Sequence, residues 1–307
     1  MSTPREHTKP IMVGVADGPL PHAVVRFAAH EAALRHAELR IVHALPLLAP
    51  ADDRVRSPES TARGAAVVEG VEELVRLQYP DVTVTCALPI GHPAGMLVDL
   101  SAQAALIVLG HRGSGGFPRL PLGSVSWQVA THAHCPVVVI RPGRTAHQPH
   151  GRVVIGVDVD DVCDEALDLG YAAADRRRAH VDLVYAEDAR FPPPAPVGVV
   201  PPVFGLLPPG PVEPLPETGA GHDAASHVLH REVSRLGSRY PRVDADAHMV
   251  PGRPADVLVE WARDATLLVV GSRGLTGLRR LLLGSVSAEV LHTAECPVAV
   301  VPAPARD

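Results

Sequence analysis

Two stretches of this chain repeat one another closely enough to dictate its plan. Leu106 to Ser124 opens L-I-V-L-G-H-R-G, Leu267 to Ser285 opens L-L-V-V-G-S-R-G, and each runs on for nine residues before a Gly-Ser pair. Gly110, Gly113 and Gly123 therefore recur at Gly271, Gly274 and Gly284, each displaced by 161 positions. A short aliphatic run ending in glycine is the pattern of a buried parallel strand. Glycines after it permit positive φ and close backbone approach. Ser124 and Ser285 then stand where a helix N-cap belongs, ahead of S-V-S-W-Q-V-A and S-V-S-A-E-V-L. Backbone N–H groups of such a loop and helix start converge, which is the geometry of a phosphate cradle. The plainer alternative is that the glycines serve tight turns only.

The rest of the chain repeats around these stretches. Strands are expected at Ile11 to Val15, Leu39 to Leu45, Val82 to Leu88, Leu106 to Leu109 and Val137 to Ile140. Helices are expected between them at Ala23 to Ala37, Thr61 to Gln78, after Pro93, and after Ser124. The second half repeats the order with strands Val153 to Val157, Val181 to Tyr185 and Val243 to Met249, and helices Glu165 to Arg177 and Asp223 to Arg239. Tyr79-Pro80, Gly91-His92-Pro93 and Cys135-Pro136 return as Tyr240-Pro241, Gly252-Arg253-Pro254 and Cys296-Pro297. Alternating short strands and helices imply two tandem three-layered α/β units, each with a mostly parallel sheet. The units are placed at residues 1–142 and 152–307, with a linker at 143–151. A Pro- and Gly-rich insertion at about 191–221 is expected to be a surface loop, since it supplies neither a continuous ladder nor a helix; recognition by an aromatic-lined partner is the lesser reading.

Composition narrows the function classes. A 307-residue chain, 46% hydrophobic, is long enough for two cores. A formal charge of -6 argues against general binding to nucleic acid or anionic membranes. The four cysteines form no CxxC pair, and Cys135 and Cys296 each precede a Pro-led strand, so buried reduced thiols are expected. With a polar N-terminus and no apolar run of membrane-spanning length, the expected location is the cytoplasm.

The spacing G-x2-G-x9-G-S, in units that open with V-G-V or I-G-V and close with C-P-V, resembles the ATP-binding branch of the universal stress protein family in its tandem two-domain form. The resemblance extends from about Ile11 to Pro302. It implies a five-stranded Rossmann-like fold for each unit, and pairing of the final strands, here Val137 to Ile140 with Pro297 to Val301. It implies one ATP at Gly110, Gly113, Gly123 and Ser124 and a second at Gly271, Gly274, Gly284 and Ser285, with Mg2+ accompanying the triphosphate. Arg273 and Arg112, between the first two glycines of each loop, would offset phosphate charge, with Arg119, Arg279 and Arg280 nearby; a solvated loop face is the alternative for each. The family also places an acid just beyond the first strand. Asp158 matches it, whereas in the first unit Ala16 holds that place and the acid is Asp17. A shift of one residue turns a side chain to the other face of a strand. Backbone at Val42 to Ala44, Tyr185 to Ala186, Gly91 and Gly252 matches the pocket edge.

Other chemistry has less support. The seventeen histidines include His132 and His134 beside Cys135, but no H-E-x-x-H or paired-cysteine framework is present. The loops lack the Lys-Ser or Lys-Thr ending of a Walker loop, no nucleophile elbow stands at a strand end, and no carboxylate pair suggests catalysis. The expected function is ATP binding in a regulatory stress response, without enzymatic turnover or with slow hydrolysis at most. A nucleotide-independent interaction scaffold is the alternative, and a homo-oligomer or a regulatory protein partner is left open.

Overall fold

The computed structural model describes residues 9–18, 22–45, 58–112, 122–141, 151–187, 219–272 and 283–303. Its first half contains β1 (Ile11–Gly14), α1 (His22–Arg35), β2 (Leu39–Val42), α2 (Pro58–Gln78), β3 (Val84–Ala87), α3 (Pro93–Ser101), β4 (Leu106–Gly110), α4 (Ser124–His132) and β5 (Val137–Ile140). The second half follows as β6 (Arg152–Gly156), α5 (Asp164–Arg177), β7 (His180–Glu187), α6 (Gly219–Arg239), β8 (Ala245–Pro251), α7 (Pro254–Trp261), β9 (Leu267–Gly271), α8 (Ser285–Thr293) and β10 (Val298–Val301). Every element expected from the sequence is present, with boundaries moved by a few residues. The largest shift is at α6, which begins at Gly219, inside the stretch assigned to the Pro-rich loop; residues 191–218 of that stretch lie outside the described residues.

The ten strands among the described residues form one sheet, in the order β3-β2-β1-β4-β5-β10-β9-β6-β7-β8. Each half is parallel, and the halves meet where β5 and β10 pair antiparallel, Val298 opposite Val139 and Val300 opposite Val137. These two strands read VVVI and VAVV and are buried along their full length. Continuous aliphatic runs are what a strand covered on both faces requires.

Alternation along the strands sends neighbouring side chains to opposite faces. Val13, Ile155 and Leu183 join the core under α1, α2, α5 and α6, while Met12, Val154 and Val184 join the core under α3, α4, α7 and α8. Both cores run across the joint between halves. On the first of these faces the joint also carries charge. Glu31 of α1, only 1% exposed, accepts from Arg35 Nε at 2.9 Å and pairs with Arg177 of α5. Burial pulls both guanidinium groups down to about 10, and Arg177 also lies over the Phe27 ring, 5.9 Å from its centroid.

In each half the strand order reverses at the first strand: β1 lies between β2 and β4, and β6 between β7 and β9. A parallel sheet opens a crevice at the carboxyl ends of the strands where its winding changes direction. The sheet therefore presents two such crevices.

Candidate functional site

Each crevice is built on a backbone frame that the two halves share. In the first half, β4 ends at Gly110; the His111 N–H donates to Ile140 O at 2.8 Å, tying the chain to the end of β5. The loop returns at Gly123, whose N–H donates to His111 O at 2.8 Å. In the second half Ser272 N–H reaches Val301 O at 2.7 Å, and Gly284 N–H reaches Ser272 O at 2.8 Å. The loop between is thus pinched shut at its base, and α4 and α8 start at the mouth of the crevice.

The helix starts differ from the sequence expectation in one respect. Gly123 and Gly284 are the N-caps, with φ of -69 and -60, and Ser124 and Ser285 are the first helical residues. The glycine N–H is already engaged by the loop base, which fixes an extended conformation there and moves the helix start one place on. Ser124 and Ser285 are exposed, and the glycine N-caps supply no capping side chain to either helix. By helix geometry the first-turn N–H groups have no intrahelical acceptor, so each crevice holds a set of backbone donors at the positive end of a helix.

Two serines that were not singled out from sequence hold this frame together. Ser126 Oγ donates to Gly110 O at 2.6 Å, and Ser287 Oγ donates to Gly271 O at 2.5 Å. Both are buried, at 4% and 5% exposure. Each joins the first helical turn to the last residue of the strand before the loop. The signal was present in the repeated S-V-S, but its second serine gains meaning only when the helix register is known.

The remaining expected residues lie along the same carboxyl edge of the sheet. β1 is extended by a Val15 N–H to Val42 O bond of 2.9 Å, and β6 by Val157 N–H to Val184 O at 3.0 Å. Beyond β6, Asp158 is half-buried and its Oδ1 accepts the Asp160 N–H at 3.1 Å. Burial raises the Tyr185 phenol above its ordinary value, with Asp160, Asp158 and Glu187 adding to the effect. Beyond β1, Asp17 is exposed and stands 3.6 Å from Nε2 of His43, a buried residue whose Nδ1 meets Val15 O at 3.1 Å. His43 and Tyr185 occupy equivalent places 142 positions apart, so the two crevices have different walls here. Gly91 and Gly252 close the edge: their N–H groups donate to Leu45 O and Glu187 O at 2.9 and 3.0 Å, and φ of 153° and 144° makes glycine the fitting residue at both.

Arg112 is described and exposed. Gly113, Gly274, Arg273, Arg119, Arg279 and Arg280 lie outside the described residues. His132 and His134 are exposed beside a buried Cys135, and among the described residues no group of three His, Cys, Asp or Glu is disposed to hold a metal. All four cysteines are free, with Cys135 and Cys296 buried and their thiols pushed up by burial to about 12. Among the described residues no helix is long and apolar enough to cross a membrane.

Comparison with known proteins places these features in a larger set. The sequence model described as "Universal stress protein family" matches twice, over residues 7–141 and 150–302. Universal stress protein Rv1996 of Mycobacterium tuberculosis is 33% identical over 314 residues, spanning 96% of this chain and 95% of that protein. Universal stress protein Rv2623 of the same organism is 31% identical over 304 residues, spanning 94% and 95%. Among solved structures, a universal stress protein from Archaeoglobus fulgidus superposes with a TM-score of 0.69 at 17% identity, covering 98% of this chain and 99% of that one; at this identity the likeness is one of fold.

Proposed function

This chain belongs to the universal stress protein family, and from that premise we propose that it is a regulatory nucleotide-binding protein whose two crevices each take one ATP. The observation that carries the reading is the duplicated frame: two strand ends, two loop bases closed by backbone hydrogen bonds and two helix starts whose glycine N-caps leave the first-turn donors without a capping side chain from that position. Donors so arranged suit a polyphosphate, which needs several N–H groups along a concave path.

In the first crevice the residues assigned to the phosphates are Gly110, Gly113, Gly123 and Ser124, with Arg112 offsetting charge. In the second they are Gly271, Gly274, Gly284 and Ser285, with Arg273. Asp158 and Asp17 stand on the nucleoside side, where a carboxylate can accept from sugar hydroxyls. Mg2+ would accompany the triphosphate as its counter-ion and offset part of its charge. No described residue is assigned as a general base, so the proposed role is occupancy: binding stabilises the folded state by about 2.7 kcal/mol at a free concentration one hundred times Kd. Regulation follows where two conformations differ in affinity.

Native mass spectrometry with Mg-ATP, followed by denaturation and identification of the released nucleotide, tests this. Two adenine nucleotides per chain are expected, falling to one in Gly284→Val. Valine can adopt the backbone found at Gly284, φ -60 and ψ 151, so the substitution places a side chain at the cradle without demanding a left-handed backbone, and a urea midpoint on the same variant separates loss of the cradle from loss of the fold. Absence of bound nucleotide at millimolar Mg-ATP would overturn the reading.

A further inference from the structure

The two crevices have matching frames and unlike walls, and the difference centres on one ring. Just beyond β2 the first half carries His43, where the second half carries Tyr185. His43 is buried, and α2 comes against its ring at Gly64. A Cβ at Gly64 would lie 3.1 Å from the ring's Cδ2, so glycine makes room for the imidazole; the counterpart of Gly64 161 positions on is Ala225. Nδ1 of His43 lies 3.1 Å from Val15 O. A carbonyl can only accept, so Nδ1 carries a proton and the neutral ring offers a lone pair at Nε2. Nε2 stands 3.6 Å from Asp17 Oδ1, longer than a hydrogen bond.

Two acceptors therefore face one another at the nucleoside side of the first crevice, one held in place by the Val15 carbonyl and the other on a side chain that is 53% exposed. While the ring is neutral, neither can serve the other, and both call for donors from a ligand. A vicinal diol carries two O–H donors on adjacent carbons. Protonation of the ring is the competing solution, because an imidazolium donates to Asp17 and leaves no lone pair at Nε2. The other elements packed here bring no charge to the ring: β1 presents Val15 O, α2 presents Gly64, and β3 presents Ala87, whose carbonyl accepts the His43 N–H at 3.0 Å. Arg63, next to Gly64, is exposed, and among the described residues the ion-pair partner of the ring is Asp17. Tyr185 in the second crevice brings an O–H donor of its own.

The geometry points to His43 as a specificity-determining residue of the first crevice, which together with Asp17 selects a ribonucleotide over an analogue that lacks the sugar diol. Without the diol, two acceptors stay unmet at the crevice wall, and a site built to receive hydroxyls discriminates strongly against a ligand that has none. The selection belongs to the neutral ring and fades on protonation. This inference rests on the nucleotide reading above and adds to it a sugar preference that sets the first crevice apart from the second.

The test is the ratio of association constants for Mg-ATP and its 2′,3′-dideoxy analogue, measured by calorimetric titration of the whole chain carrying Gly284→Val, which leaves the first crevice as the binding site. At pH 8 ATP is expected to bind about tenfold or more tightly than the analogue, as loss of hydrogen bonds to a charged acceptor implies. The ratio should fall toward one by pH 5.5, across the range in which imidazoles take up a proton. Phosphate protonation acts on both nucleotides alike and cancels. His43→Phe, which keeps a ring but no acceptor, should lower the ratio at pH 8 and remove its pH dependence, whereas a merely structural role would weaken both nucleotides together and leave the ratio as it was. Should His43→Phe not fold, the pH profile of the Gly284→Val chain decides alone. In the reciprocal Gly123→Val chain, which leaves the second crevice, the ratio should ignore His43. ATP bound with a ratio flat in pH and indifferent to His43→Phe would overturn the inference and leave the nucleotide reading standing. So would a Gly284→Val chain that binds nothing while the parent binds one ATP, since the first crevice is then empty. No ATP on the parent would overturn both.

Discussion

Two serines two residues apart do different work, and only one kind ties the frame together. Ser126 and Ser287 are buried and donate to the strand-end carbonyls of Gly110 and Gly271. Ser124 and Ser285 are exposed and cap nothing. Removing the hydroxyl from Ser126 or Ser287 leaves a carbonyl unmet at the base of the crevice. Each alanine substitution there is expected to cost about 1–2 kcal/mol, while Ser124→Ala and Ser285→Ala should stay within about 0.5 kcal/mol; urea midpoints of the four variants decide the matter. Both pairs were visible in the repeated S-V-S, but sequence reasoning chose the first serine because it follows the glycine. The acids behave likewise: Asp17 and Asp158 were legible as the polar residues beyond the first strands, whereas the contact of Asp17 with His43 came from the end of the neighbouring strand, β2.

At the scale of elements, α4 and α8 are nine residues each, too short to persist without tertiary support. They are held by their serine ties at one end and, for α8, by Arg141 and Trp127 at the other: Arg141 Nη2 donates to Leu291 O at 3.2 Å and also to His292 O, and Trp127 stacks on His292 with centroids 5.4 Å apart. His292 lies in this second contact, and burial first, then the charge of Arg141, lowers its pKa below the ordinary value of 6.5. The unfolded chain therefore takes up a proton here more readily than the folded one. This contribution is fully present above about pH 6.5 and is lost as pH falls through the lower folded-state value. Urea unfolding from pH 8 to pH 5 should show a steeper acid loss of stability in the parent than in His292→Phe, which keeps a ring on Trp127 but cannot be protonated. Equal slopes would show that His292 is not a source of the acid sensitivity.

Across the whole molecule, two pseudo-symmetric halves share one ten-stranded sheet, and the joint is asymmetric in its charges. Arg35 and Arg177 occupy equivalent places 142 positions apart, yet the equivalent of Glu31 is Ala173. One buried carboxylate therefore serves both arginines. Glu31→Gln leaves them uncompensated, and a loss of about 3–5 kcal/mol is expected. Replacing Glu31, Arg35 and Arg177 together with apolar residues should cost far less, because no buried charge is left alone. Equilibrium unfolding of the single and triple variants gives the comparison, and a single variant as stable as the parent would remove the triad from the forces holding the halves together.

The sequence by itself determined the duplication, the alternation of strands and helices, the wholly aliphatic strands at the joint and the place of the glycine loops. These are local properties: hydrophobic period, chain-breaking residues and backbone freedom are written over a few consecutive positions. Tertiary structure decided which serine is buried, what Asp17 faces, and how Glu31 and Arg141 bind one half to the other. Those outcomes depend on polar groups brought together from segments far apart in the chain, as when Arg141 meets His292 across 151 positions. Their partners are selected by packing and by the need to satisfy buried charge and carbonyl groups, which no local pattern records.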